Sequence, residues 1–117
     1  EMGKLLFLTD LEYCKYNFSG LQVEHVMCEC NYSMEFVDCN EPNYEHRLRG
    51  HMSLDTALKF ISTNDNPALR NVVLIHLSDK SGNPTLFKQK VLETLKYDTE
   101  VYVAENGLEV DFNLYPF

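Results

Sequence analysis

Three short apolar runs, each closed by a side chain able to hold a metal or move a proton, limit what this chain can become. Leu5-Leu6-Phe7-Leu8-Thr9 ends in Asp10, Val26-Met27-Cys28 ends in Glu29, and Val72-Val73-Leu74-Ile75 ends in His76. Continuous apolar runs of this length suit strands covered on both faces, as in a parallel sheet. After the second run, Ser53 is a good N-cap, and Leu54, Ala57, Leu58 and Ile61 fall on one helical face. After the third, Asn83-Pro84 reads as an N-cap and first helical residue, with Phe87, Val91 and Leu95 as an inward stripe. Crossovers that contain helices favour parallel neighbours. In an open α/β sheet ligands gather outside the carboxyl ends of the strands, where Asp10, Glu29 and His76 would stand. His51, directly before the helix start, can join them from the adjacent loop. That is the geometry of a hydrolytic site.

The strands are expected over Lys4 to Thr9, Val23 to Cys30 and Asn71 to His76, and the first helix should stop by Thr63-Asn64-Asp65-Asn66-Pro67, where turn formers accumulate. Leu11 to Gly20 reads as an exposed loop or short helix. The stretch from Asn31 to Gly50 has no strong period, with one short helix expected near Ser33. The tail reads as a hairpin: Glu100 to Ala104, a turn at Asn106-Gly107, then Leu108 to Phe112. The sum is an α/β layout with a mixed sheet, flanking helices and a C-terminal hairpin at an edge or folded back over the core.

At 117 residues the chain is one domain or part of one. No run is long enough to span a bilayer, and the start lacks the basic-then-apolar pattern of a signal peptide, which favours a cytoplasmic protein or an internal segment. Eighteen acids stand against 10 Lys and Arg, for a net charge of −8. Backbone affinity for nucleic acid comes from clustered cations that displace counterions; here the only small cluster is His46-Arg47-Leu48-Arg49. A long polyanion is therefore disfavoured, whereas a small anionic substrate held by metal ions is compatible with the charge. Cys14, Cys28, Cys30 and Cys39 lack the paired spacing of a structural zinc site and read as reduced thiols packed as small apolar side chains.

Each candidate alone has a plain structural reading. Asp10 could begin a turn, Glu29 could face outward from a half-exposed strand, and a lone histidine is more often satisfied packing than a ligand. The weight lies in all four falling at element ends on one expected side of the sheet.

The motifs Leu6-Phe7-Leu8-Thr9-Asp10, Cys28-Glu29-Cys30-Asn31-Tyr32, Gly50-His51-Met52-Ser53 and Val73-Leu74-Ile75-His76-Leu77-Ser78 together resemble the C-terminal half of a metallo-β-lactamase-fold phosphodiesterase. The likeness runs from about residue 4 to about residue 112. It is nearer to small bacterial and phage members, some of which cleave cyclic nucleotides, than to the tRNA 3′-processing endonucleases. The resemblance implies the C-terminal lobe of an αββα sandwich and two divalent ions, zinc or manganese, in the complete domain. It implies that Asp10 bridges the ions, that His76 binds metal, and that Glu29 orients His51, which gives a proton to the leaving oxygen.

That chemistry suits the residue types. Two metals polarise phosphoryl oxygens and acidify a bridging water, and a departing alkoxide needs a proton that an imidazole can supply. The family's H-x-H-x-D-H motif is not among these residues, so the site in this chain is incomplete and weak catalysis is expected of the chain alone. Half a sandwich would also expose an apolar sheet face and a strand edge. Pairing with an N-terminal half or a second copy is therefore expected. The alternatives are a noncatalytic α/β interaction module that lost the metal site, or an RNA-processing nuclease of the same superfamily.

Overall fold

The apolar runs become adjacent strands. In the computed structural model, which describes residues 1–114, β1 (Leu5–Leu8), β2 (His25–Glu29), β3 (Asn71–Ile75) and β4 (Glu100–Val103) form one sheet in the order β1-β2-β3-β4. Every pairing is parallel. Three helices complete the fold: α1 (Tyr44–Leu48), α2 (Leu54–Asn64) and α3 (Pro84–Thr94). A strand order that matches chain order means each connection moves one position along the sheet. Crossovers of one hand then deliver their helices to the same face.

The helices start where their caps dictate. Ser53 Oγ accepts from the Thr56 N–H at 3.2 Å, and Asn83 Oδ1 accepts from the Leu86 N–H at 3.0 Å. Both close an orphan donor of the first turn. α2 packs on β2 and α3, and α3 packs on β4. Between helices and sheet lie Leu8, Val26, Cys28, Val72, Leu74 and Val101 from the strands, with Ala57, Phe60, Ile61, Phe87 and Val91 from the helices. The expected stripe of α3 is thus buried at Phe87 and Val91.

The alternation of strand side chains puts a second row on the opposite face. Phe7, Met27, Val73 and Tyr102 stand in register across all four strands. Among the described residues no helix covers this row. Phe7 is 59% exposed, so β1 is an edge strand rather than one covered on both faces, as its apolar run had suggested.

Two expectations fail in the tail. The sheet is wholly parallel rather than mixed, and Leu108 to Phe112 forms no strand. The turn at Asn106-Gly107 does occur, with Gly107 at φ 87° and the Leu108 N–H donating to Glu105 O at 3.1 Å. The chain then leaves β4 and returns over the open sheet face. Phe112 stacks on the His25 ring at 4.4 Å, and the Leu114 N–H donates to Glu1 O at 3.0 Å. Burying Phe112 against an uncovered apolar face removes more surface from water than pairing at an exposed edge would.

The stretch from Asn31 to Gly50 holds a 3-10 turn at Met34–Phe36, just after Ser33, and then α1. No helix among the described residues is long and apolar enough to cross a membrane.

Candidate functional site

The carboxyl rim of the sheet collects all four candidate residues. Glu29 is the last residue of β2, His76 follows β3 directly, and Asp10 lies two positions past β1. Since β1, β2 and β3 are adjacent and parallel, these three positions share one end of the sheet. Asp10 and His76 both turn there in the left-handed region, at φ 59° and 60°. Asp and His tolerate that conformation better than most side chains, though it is still uncommon. Residues held in sparsely populated backbone regions cluster at functional sites.

His51 arrives from the loop before α2, and its neighbours fix it. Gly50, at φ 77°, makes the turn, and its N–H donates to Glu12 Oε1 at 2.8 Å. Met52 is fully buried, its Sδ 3.6 Å from Cys28 Sγ. The segment is then stitched beside the extension of β2. Met52 O accepts from the Asn31 N–H at 2.9 Å, and Tyr32 O accepts from the Leu54 N–H at 2.7 Å. His51 therefore sits between a glycine hinge and a core anchor.

Glu29 is the hub. Its side chain is fully buried, and its Oε1 lies 2.8 Å from the Nδ1 of both His51 and His76. Its Oε2 accepts the Asp10 N–H at 3.0 Å. Asp10 Oδ1 stands 3.6 Å from His76 Nδ1, and the two imidazole rings meet edge to face at 5.0 Å. A carboxylate facing the Nδ1 of both rings orients them, as carboxylates behind metal-ligating histidines do. The outer members are open: the His51 side chain is 28% exposed, His76 45% and Asp10 69%.

The sequence reading paired Glu29 with His51; its equal bond to His76 was not foreseen. Nor was Asn31, whose Nδ2 donates to His76 O at 2.7 Å while its carbonyl accepts the Ser78 N–H at 2.8 Å. Asn31 thereby ties the end of β2 to the strained corner at His76. Gly82 was also missed. A Cβ there would lie 2.6 Å from the Ser78 carbonyl oxygen, so only glycine closes this loop without displacing backbone.

The donor set is suited to one divalent ion. One ligand atom from each of Asp10, Glu29, His51 and His76 lies within 4.8 Å of the others. A mixed set of nitrogens and oxygens is compatible with several divalent ions. Four donors are too few to fix two ions and still leave positions for water, so a second ion would need ligands from beyond these residues.

The cysteines take no part. All four are free, and Cys28 and Cys30 are buried under the site. Burial, then the charge of Glu29, then Cys14 pushes the Cys28 thiol up to about 12. Burial and then Cys28 and Glu29 push Cys30 up as well. Thiols held protonated are neither nucleophiles nor metal ligands.

A cavity of about 340 Å³ opens beside the cluster, with His51 and His76 in its wall. That is the low end of the range for small-molecule sites. No family model, curated protein or solved structure matches this chain.

Proposed function

We propose that the rim is the C-terminal part of a metal-dependent phosphodiesterase site of metallo-β-lactamase type, acting on a small phosphodiester such as a cyclic nucleotide. The observation that carries the reading is the convergence on Glu29. Two imidazole side chains and the Asp10 N–H, from three separate chain segments, meet on one fully buried carboxylate beside an open cavity. A fully buried carboxylate is costly unless hydrogen bonds and charges compensate it.

In this reading Asp10 and His76 hold the ion, and its positive charge offsets the acidity of the chain where the substrate binds. A bound divalent ion polarises the phosphoryl group and lowers the pKa of attacking water. Glu29 orients both imidazoles and stabilises His51 in its charged form. His51 delivers the proton to the departing oxygen. With donors for one ion, the chain is a partial site, and an N-terminal half or second copy would complete it.

The decisive experiment is hydrolysis of bis(4-nitrophenyl) phosphate by this chain with added Mn²⁺ or Zn²⁺, alongside Asp10→Ala and His51→Ala. Metal-dependent turnover lost in both variants supports the assignment, and equal turnover in all three proteins removes it. One observation favours a noncatalytic module instead: three protein hydrogen bonds already satisfy the Glu29 carboxylate. On that reading added metal neither binds nor promotes turnover.

A further inference from the structure

The cavity beside the histidines has a charged far wall that the chemistry above does not use. Arg47, on α1, and Lys80, in the loop after β3, come from segments well apart in the chain and converge on the carboxylate of Glu41. Arg47 Nη1 pairs with Glu41 Oε2, and Lys80 Nζ stands 3.8 Å from Glu41 Oε1. All three line the same cavity as His51 and His76. Glu41 is held on a tight turn, its N–H donating to Asp38 O at 3.1 Å. An anionic group thus already sits between two partly exposed cations, Arg47 at 48% and Lys80 at 70% side-chain exposure. In a chain with net charge −8, Arg47 and Lys80 bring two cations to this cavity, set against the carboxylates of Asp38 and Glu41 in the same lining.

We propose that Arg47 and Lys80 form a second anion subsite, which takes a terminal phosphate of the substrate while the histidine rim takes the diester. The substrate class is then a phosphodiester that also carries a phosphomonoester, such as a 5′-phosphorylated dinucleotide. Arg47 supplies a planar fork for two phosphate oxygens and Lys80 a point charge. Glu41 is the competitor that the incoming phosphate displaces. It keeps the two cations together when the subsite is empty and raises the threshold for weak anions. The inference rests on the hydrolytic reading for its biological sense, but the subsite can be tested without it.

The first measurement is titration of the intact chain with inorganic phosphate, followed by amide chemical shifts of Arg47 and Lys80. Glu41→Gln keeps the shape and removes the competing charge, so phosphate binding is expected to tighten several-fold. Lys80→Ala and Arg47→Ala are each expected to weaken it about tenfold, the scale of one charge-assisted contact. The second measurement is the ratio of kcat/KM for 5′-phosphorylated dithymidylate over plain dithymidylate with Mn²⁺ present. A ratio above one that falls toward one in Lys80→Ala supports the subsite. Weaker phosphate binding in Glu41→Gln, or a ratio unaltered in Lys80→Ala, overturns it. If neither dinucleotide is cleaved, the phosphate titration alone decides the subsite.

Discussion

His25 and Glu29 stand four residues apart on the same face of β2, and both are fully buried. Their surroundings differ in kind. His25 meets only neutral partners. Its Nε2 lies 2.6 Å from Met2 O, its Nδ1 lies 3.1 Å from Asn71 Nδ2, and its ring stacks on Phe112. One tautomer satisfies everything: Nε2–H donates to the carbonyl, and Nδ1 accepts from the amide. Glu29 meets two imidazoles and the backbone of a third titratable residue, and all three have faces open to solvent. A buried polar group closed off by neutral partners is packing. One whose partners can each exchange a proton or an ion with the outside is a candidate site.

The largest expected effect would break this contrast outright. His51→Ala should lower phosphodiester turnover by about 10²–10⁴, the range for a lost general acid, with some loss of melting temperature because the buried Glu29 carboxylate loses one of its partners. His25→Ala should do the reverse. It opens a cavity and leaves Asn71 without its acceptor, costing about 2–4 kcal/mol by denaturant titration, while metal-dependent turnover of the folded fraction stays within a few-fold. If His25→Ala abolished turnover at full stability, the two histidines would have been assigned the wrong way round.

A third substitution tests the hub itself. Glu29→Gln keeps the volume but puts an amide where two Nδ1–H groups expect an acceptor. Zinc or manganese affinity, read by calorimetry, should fall about 10- to 100-fold, as when carboxylates behind ligating histidines are removed. An unchanged affinity would make Glu29 a structural carboxylate like any other buried polar group, and the contrast with His25 would vanish.

The strand and helix positions were largely legible because apolar runs and caps are local signals. β3 starts at Asn71 as expected, α2 follows its Ser53 cap, and α3 follows Asn83-Pro84. The convergence of Asp10, Glu29 and His76 was legible for the same reason: in a parallel sheet, residues that end strands must share a rim. The tail was not. Alternation from Leu108 to Phe112 says that one side is apolar but not which surface it meets, and the turn at Asn106-Gly107 is compatible with either outcome. What decided it was an uncovered sheet face carrying Val73 and Met27, a property of the assembled fold. Asn31 and the Glu29–His76 bond were hidden likewise, because each depends on strand register rather than on spacing in the chain.

Phe112→Ala measures how much the returning tail contributes at the His25 end. The residue is half-buried, so losing its stacked contact should cost about 1 kcal/mol, read as a lower midpoint in urea with metal affinity unaltered. A larger loss coupled to weaker metal binding would mean that the two ends of β2 communicate, and that the tail supports the rim.

The smallest effect, absent at neutral pH, reports the charge on Glu29 through its neighbour. The Cys28 thiol is pushed up from 9.0 to about 12, first by burial and then by Glu29. Between those values the folded chain keeps a proton that the unfolded chain has lost, so stability falls as pH rises. The contribution is complete below pH 9.0 and disappears as pH climbs toward about 12. In Glu29→Gln the burial cause remains and the charge cause is gone, so the folded thiol's pKa falls toward 9.0 and the alkaline loss of stability tied to this thiol should shrink modestly. Cys28→Ser or Cys28→Ala would remove the thiol's contribution and identify it among other alkaline titrations. An alkaline profile identical in wild type and Glu29→Gln would mean that the carboxylate's charge is not felt at Cys28. The negative hub beneath the two histidines would then have lost its electrostatic support.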